Sequence, residues 1–254
     1  MATWADLDAE LALWRGAGER PTFWWRDDDT QAPTQALTQL IALTKKHGAP
    51  LHLAVIPLGL DPALAPYLTK SPHVWSMQHG LTHKNHEPKP ARASEIGQER
   101  ALEASHVDLA RGWALMAEAS LPNRLAVLVP PWNRIGAKLI PHLHGWGYGA
   151  LSGFGPREPG QDSGPLVHIN AHVEPLRWRP DAVFAGEGKT LAQCVEHLRA
   201  RRIGAEDRNT ATGIVTHHLQ TPPEVWAFCD ALAERLNHKN AVEWIAMDRF
   251  ARPV

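Results

Sequence analysis

Three consecutive aspartates, Asp27, Asp28 and Asp29, follow directly on the apolar run Thr22-Phe23-Trp24-Trp25-Arg26. Adjacent carboxylates repel one another and resist burial, so a chain sets three of them at a strand end where something positive holds them. A second cluster, His79-Gly80-Leu81-Thr82-His83, supplies matching ligands. Two imidazoles and a carboxylate bind a divalent ion and leave a position open, which is the ligand set of metal-assisted hydrolysis. On a helix, residues four apart share a face, so His79 and His83 could reach one ion. No glutamate follows His79, which excludes the His-Glu-x-x-His protease motif. Two more polar clusters are Pro130-Pro131-Trp132-Asn133 and His217-His218.

Each cluster also has an ordinary reading. The aspartates could cap the helix that starts near Pro33. A pair of histidines can arise by chance in a chain with 15 of them. Two prolines can merely stiffen a loop. In an extended strand His217 and His218 point to opposite faces, so at most one faces a site.

What weighs against the ordinary readings is where the clusters fall. Runs rich in β-formers read as strands over Thr22–Arg26, Leu51–Ile56, His73–Met77, Leu125–Val129, Ala150–Ser152, Leu166–Ile169, Gly213–Thr216 and Val242–Met247. Helical stripes lie between them over Pro33–His47, Ser94–Ser120, Thr190–Arg202 and Pro223–Leu236. Strand–helix alternation along the whole length predicts an α/β chain with a parallel sheet, closed into a distorted (β/α) barrel of seven or eight strands. An open doubly wound sheet is the alternative. Each of the four polar clusters follows a predicted strand, and in a parallel barrel those strand ends form the one face that carries active sites. The Gly/Pro-rich stretch Gly153–Pro165 reads as a surface loop or lid.

Composition narrows the function classes. The 254 residues suit a single domain over 1–254. With 26 basic and 27 acidic residues and no basic stripe, the chain lacks the footprint of a nucleic-acid binder. Cys194 and Cys229 make neither a disulfide framework nor a metal pattern. No apolar run approaches the ~18 residues of a membrane span, and the acidic start is unlike a signal peptide, so a cytoplasmic location is expected. The 11 tryptophans are expected mostly in the core, with a few left to stack on a sugar ring.

Asp28-Asp29, His79–His83, Pro131-Trp132 and Val215-Thr216-His217 stand in the order of the motifs of the polysaccharide deacetylase family, the NodB-homology group of carbohydrate esterases. The chain resembles a divergent branch whose first motif reads Arg-Asp-Asp-Asp, over roughly Phe23 to Leu219. The resemblance implies a metal-dependent deacetylase that removes an N- or O-acetyl group from a carbohydrate or glycoconjugate, with one divalent ion, zinc foremost. Asp29, His79 and His83 would be its ligands, Asp28 the general base and His217 the general acid. In the other register Asp27 is the base and Asp28 a ligand. Trp132, Pro131, Asn133, His86 and Arg26 are expected to meet substrate. Two departures stand out. Gly80 replaces the Ser or Thr of the second motif, and Val129 replaces the Arg of the third, whose place Arg26 or Arg134 could take. An amidohydrolase acting on a non-sugar C–N bond and a catalytically silent carbohydrate-binding relative are the alternative functions.

Overall fold

The computed structural model describes residues 1–156 and 164–250. Most of the Gly153–Pro165 stretch therefore lies outside the described residues. The chain forms two compact units, one of residues 1–27, 35–51 and 171–246, the other of residues 28–34, 52–170 and the segment from 247 onward.

In the first unit, strand β1 (Thr22–Thr30, of which this unit holds residues up to Asp27) is flanked by two parallel partners. They are β9 (Thr212–Thr216), in register from Phe23 opposite Thr212 to Asp27 opposite Thr216, and β10 (Glu243–Trp244). Consecutive β-formers make β1 a strand, and Phe23, Trp24 and Trp25 are all fully buried, so it is covered on both faces. Around it stand helices α1 (Trp4–Gly16), α2 (Gln35–Lys46), α6 (Glu187–Arg202) and α7 (Pro223–Asn237). A capping box between Thr3 and Asp6 starts α1. An antiparallel hairpin joins β7 (Leu176–Arg177) and β8 (Val183–Phe184).

The second unit orders its strands as β2 (Leu51–Val55, of which this unit holds residues from His52), β3 (Val74–Gln78), β4 (Arg124–Leu128), β5 (Ala150–Leu151) and β6 (Val167–His168). The β3–β4, β4–β5 and β5–β6 pairings are parallel. Helices α3 (Leu64–Leu68), α4 (Leu102–Glu118) and α5 (Ile140–Leu143) connect them. Leu109, Leu128, Leu139, Leu143 and Tyr148 form part of the core between helix and sheet.

The helix expected over Ser94–Ser120 begins only at Leu102. Residues before it spend their backbone groups elsewhere. Ile96 makes an isolated parallel bridge to Ile135, and the Gly136 amide donates to the Ile96 carbonyl at 2.8 Å. Of the 11 tryptophans only Trp14, Trp24 and Trp25 are fully buried, and most of the rest are half-buried. The polar indole edge explains this: burying it requires a partner, which Trp14 finds in the Leu198 carbonyl and Trp25 in the Thr216 hydroxyl.

Candidate metal centre

Within the second unit, Asp29, His79 and His83 converge. Asp29 Oδ1 lies 3.2 Å from His79 Nε2 and 3.3 Å from His83 Nε2, and one ligand atom from each residue fits within a 4.8 Å span. Asp29 stands near the end of β1 and turns its backbone to φ 71°. His79 directly follows β3, and its amide donates to the Val55 carbonyl at 2.8 Å, which holds it to the neighbouring strand.

The pair is not on a helix, as its spacing suggested. Gly80 and His83 have φ of 58° and 56°, so the segment is a tight loop. Its amides are satisfied by Glu95, fully buried, in place of helical carbonyls. The Glu95 carboxylate accepts from the Thr82 amide and hydroxyl, each at 2.7 Å, and from the His83 amide at 3.1 Å.

His79 Nδ1–H donates to the Val129 carbonyl at 2.8 Å. That bond fixes the tautomer and turns Nε2, with its lone pair, toward Asp29, which is the outer-shell device of metal-ligating histidines. Burial disfavours the His79 imidazolium, but the hydrogen bond to Asp29 and the charges of Asp28 and Asp29 outweigh it and raise its pKa. Burial is the larger influence on His83 and lowers its pKa, with His79 acting in the same direction.

The donor set fits a divalent ion. Two imidazole nitrogens and a carboxylate oxygen lie within reach of one ion, a donor set suited to a divalent cation. His79 is buried while His83 and Asp29 are partly open, so the centre has an exposed side, as a catalytic rather than a structural ion needs. Asp28, next in chain to Asp29, is almost fully buried.

Beside the trio, Pro130-Pro131-Trp132-Asn133 forms a corner after β4. Trp132 and Asn133 have consecutive left-handed φ of 55° and 56°, and the Asn133 amide donates to the Pro130 carbonyl at 2.8 Å. The Trp132 ring sits 4.3 Å from that of His83. Asp29, His83, Trp132 and Asn133 thus hold strained backbones in one place, and such clusters mark functional sites. His86 is exposed and its Nδ1 lies 2.9 Å from the Glu95 carbonyl oxygen. Arg134 donates to the Ala93 carbonyl at 2.8 Å. Val129, at the third-motif position, is fully buried.

The other expected residues lie in the first unit. Arg26 and Asp27 are fully buried. Asp27 Oδ2 accepts from the Thr216 hydroxyl at 2.7 Å and from the His218 amide at 3.0 Å, and its Oδ1 is 2.5 Å from His218 Nδ1. Neither histidine is in the strand, which ends at Thr216: His217 caps a short 3-10 turn that His218 begins, and His218 turns to the aspartate while His217 meets other partners. His217 Nδ1 lies 3.9 Å from Glu174 Oε1, and its ring meets Trp178 edge-on at 4.5 Å. The Trp178 indole in turn donates to Glu174 at 2.6 Å.

Sequence reasoning missed Glu95, Glu174 and Trp178 as parts of these clusters. Glu95 carries no signal at all, being 12 residues from His83 on an irregular segment. Val173-Glu174 had a faint one, because it precedes a short hairpin with an exposed tryptophan.

No protein-family model matches the chain, and no curated protein is similar to it. Solved structures share its fold. A family 4 carbohydrate esterase from Streptomyces lividans, in complex with acetate, superposes with a TM-score of 0.58 at 15% identity, covering 92% of this chain and 97% of that one. A family 4 acetyl xylan esterase from Clostridium thermocellum, in complex with a cobalt ion, gives 0.51 at 12% identity over 92% and 100%. A family 4 pseudoenzyme from Bacillus anthracis gives 0.55 at 10% identity over 88% and 63%. The fold is therefore that of the family 4 carbohydrate esterases and polysaccharide deacetylases, the α/β distorted barrel class expected from the strand–helix alternation.

Proposed function

We propose that the chain is a metal-dependent deacetylase that removes an acetyl group from a carbohydrate or glycoconjugate. The convergence of Asp29, His79 and His83 on one point carries this reading. The shared fold directs it toward acetyl groups on sugars.

Asp29, His79 and His83 would hold the ion, with zinc best suited to a mixed imidazole–carboxylate set. A divalent ion bound there polarises a carbonyl and acidifies water. Asp28, held in place by the strand it shares with Asp29, is assigned the role of general base that takes a proton from the attacking water. His217, whose Nδ1 lies 3.9 Å from Glu174 Oε1, is assigned the proton donor to the leaving amine or alcohol. The exposed part of Trp132 offers a flat apolar face to a sugar ring. Its left-handed backbone presents that face from a fixed corner.

A catalytically silent sugar-binding relative is the second reading. Val129, standing where the family's third motif has an arginine, favours it. One experiment separates the two: purified protein loaded with zinc is incubated with acetylated chitooligosaccharides and acetylated xylan, and released acetate is measured. Acetate release that is lost in a His79→Ala/His83→Ala variant supports deacetylation. Sugar binding without acetate release from any acetylated glycan overturns it.

A further inference from the structure

We infer that Glu95 is the positioning residue of the metal centre, clamping the loop that carries His83 and standing in for the side chain that Gly80 lacks. The inference deepens the proposed function and rests on its metal centre.

The loop from Gly80 to His83 would be poorly determined by its own sequence. It begins with a glycine, makes no helix and turns through two left-handed residues. Two buried polar side chains tie it down. Gln78 Nε2 donates to the Gly80 carbonyl at 3.0 Å and to the Leu109 carbonyl at 2.9 Å, and Gln78 Oε1 accepts from the Tyr148 hydroxyl at 2.7 Å. Glu95 takes the other polarity. Its two oxygens accept from the Leu81 amide at 3.3 Å, from the Thr82 amide and hydroxyl, and from the His83 amide. Three successive backbone amides and a hydroxyl thus converge on one carboxylate. That arrangement is the compensation a buried carboxylate requires, and its net result is to fix the backbone of a ligand.

Glu95 is itself held on both sides. The Ser94 hydroxyl donates to the Arg134 carbonyl at 3.0 Å, and Ile96 forms the bridge to Ile135. The anchor therefore connects the His83 loop to the segment that follows Trp132, whose ring packs on His83.

Gly80 belongs to the same device. A Cβ there would stand 2.1 Å from Glu95 Oε2 and 2.8 Å from Pro131 Cγ. Any side chain at position 80 would displace the carboxylate. The missing hydroxyl of the second motif and the presence of Glu95 are one structural fact: the carboxylate occupies the space a side chain at position 80 would need.

The test uses the full chain and zinc alone as probe. Zinc affinity is measured by chelator competition for the wild type, Glu95→Gln and Thr82→Val, with far-UV circular dichroism to establish folding and the visible spectrum of the cobalt-substituted protein to report ligand geometry. Glu95→Gln is nearly isosteric but turns an amide NH2 toward donors. It is expected to weaken zinc by about 10- to 100-fold, the range for loss of an outer-shell partner, and to alter the cobalt spectrum while the fold persists. Thr82→Val removes one donor and is expected to weaken zinc by roughly three- to tenfold. A folded Glu95→Gln protein that binds zinc within twofold of wild type, with an unchanged cobalt spectrum, overturns the inference. If that variant does not fold, Thr82→Val decides by the same twofold criterion. Wild-type protein that binds zinc yet releases no acetate defeats the deacetylase reading and leaves this inference standing. Wild-type protein that binds no zinc overturns both.

Discussion

The imidazole of His83 packs against the indole of Trp132 with 4.3 Å between ring centres, and both residues have left-handed backbones, at φ 56° and 55°. A non-glycine residue in that region costs on the order of 1–3 kcal/mol and persists only where its surroundings fix it. Here each strained residue helps to fix the other. Trp132→Ala is expected to leave the fold intact and to speed release of a bound ion by roughly tenfold, because His83 loses the wall against which it rests. Trp132→Phe keeps an aromatic face and should stay near wild type. Stopped-flow chelation of the zinc-loaded protein checks both, and equal release rates for wild type and Trp132→Ala would refute the coupling.

Asp28 and Asp29 are neighbours in chain with different surroundings. Asp29 joins the histidines, whereas Asp28 is nearly sealed and adjoins the centre by charge, as the raised pKa of His79 reflects. Asp28→Asn is therefore expected to retain stoichiometric zinc while lowering turnover by about 10²- to 10⁴-fold, the contribution of a positioned general base. Metal content by mass spectrometry and acetate release together test this. Full activity in the variant would remove Asp28 from the chemistry.

Much of this was legible in the residues, for physical reasons. β1 announces itself by consecutive aromatic β-formers, and α2 by the stripe Leu37, Leu40, Ile41 and Thr44, all buried. The convergence of Asp29, His79 and His83 was legible because the ends of parallel strands deliver their residues to one face. What local pattern could not give was the environment of each. The spacing of His79 and His83 fits a helix equally well, and only the distant Glu95 decides that it is a loop. The stripe of α4 extends by pattern back to Ser94, yet the bridge from Ile96 to Ile135 claims those residues. The hairpin of β7 and β8 has two residues per strand, too few for any alternation to show.

Asp27 bears on stability rather than on exposed chemistry. It is fully buried, and its two oxygens are taken by the Thr216 hydroxyl, the His218 amide and the His218 ring. Removing one member of a buried pair leaves the other uncompensated, at about 3–5 kcal/mol. Asp27→Ala is expected to lose that much in chemical denaturation. A loss under about 1 kcal/mol would show that the pair contributes little.

The last prediction concerns acid. In the first unit His172 and His197 stack with ring centres 3.5 Å apart, and both are buried. His172 Nδ1 accepts from the Gly213 amide, so that nitrogen carries no proton, and His197 Nδ1 meets the Thr212 hydroxyl, which Arg201 also contacts. Burial, aided by the Arg201 charge, lowers the His197 pKa from 6.5 to about 3. Above pH 6.5 the group is neutral folded and unfolded, and pH has no leverage through it. Between 6.5 and about 3 only the unfolded chain takes the proton, so stability falls with acidity by up to about 1.4 kcal/mol per pH unit. Below about 3 both states are protonated and this contribution levels off. His197→Gln removes the titration, so its stability measured by urea denaturation between pH 7 and pH 4 should decline less steeply than that of the wild type. Parallel slopes for the two proteins would place the acid sensitivity elsewhere.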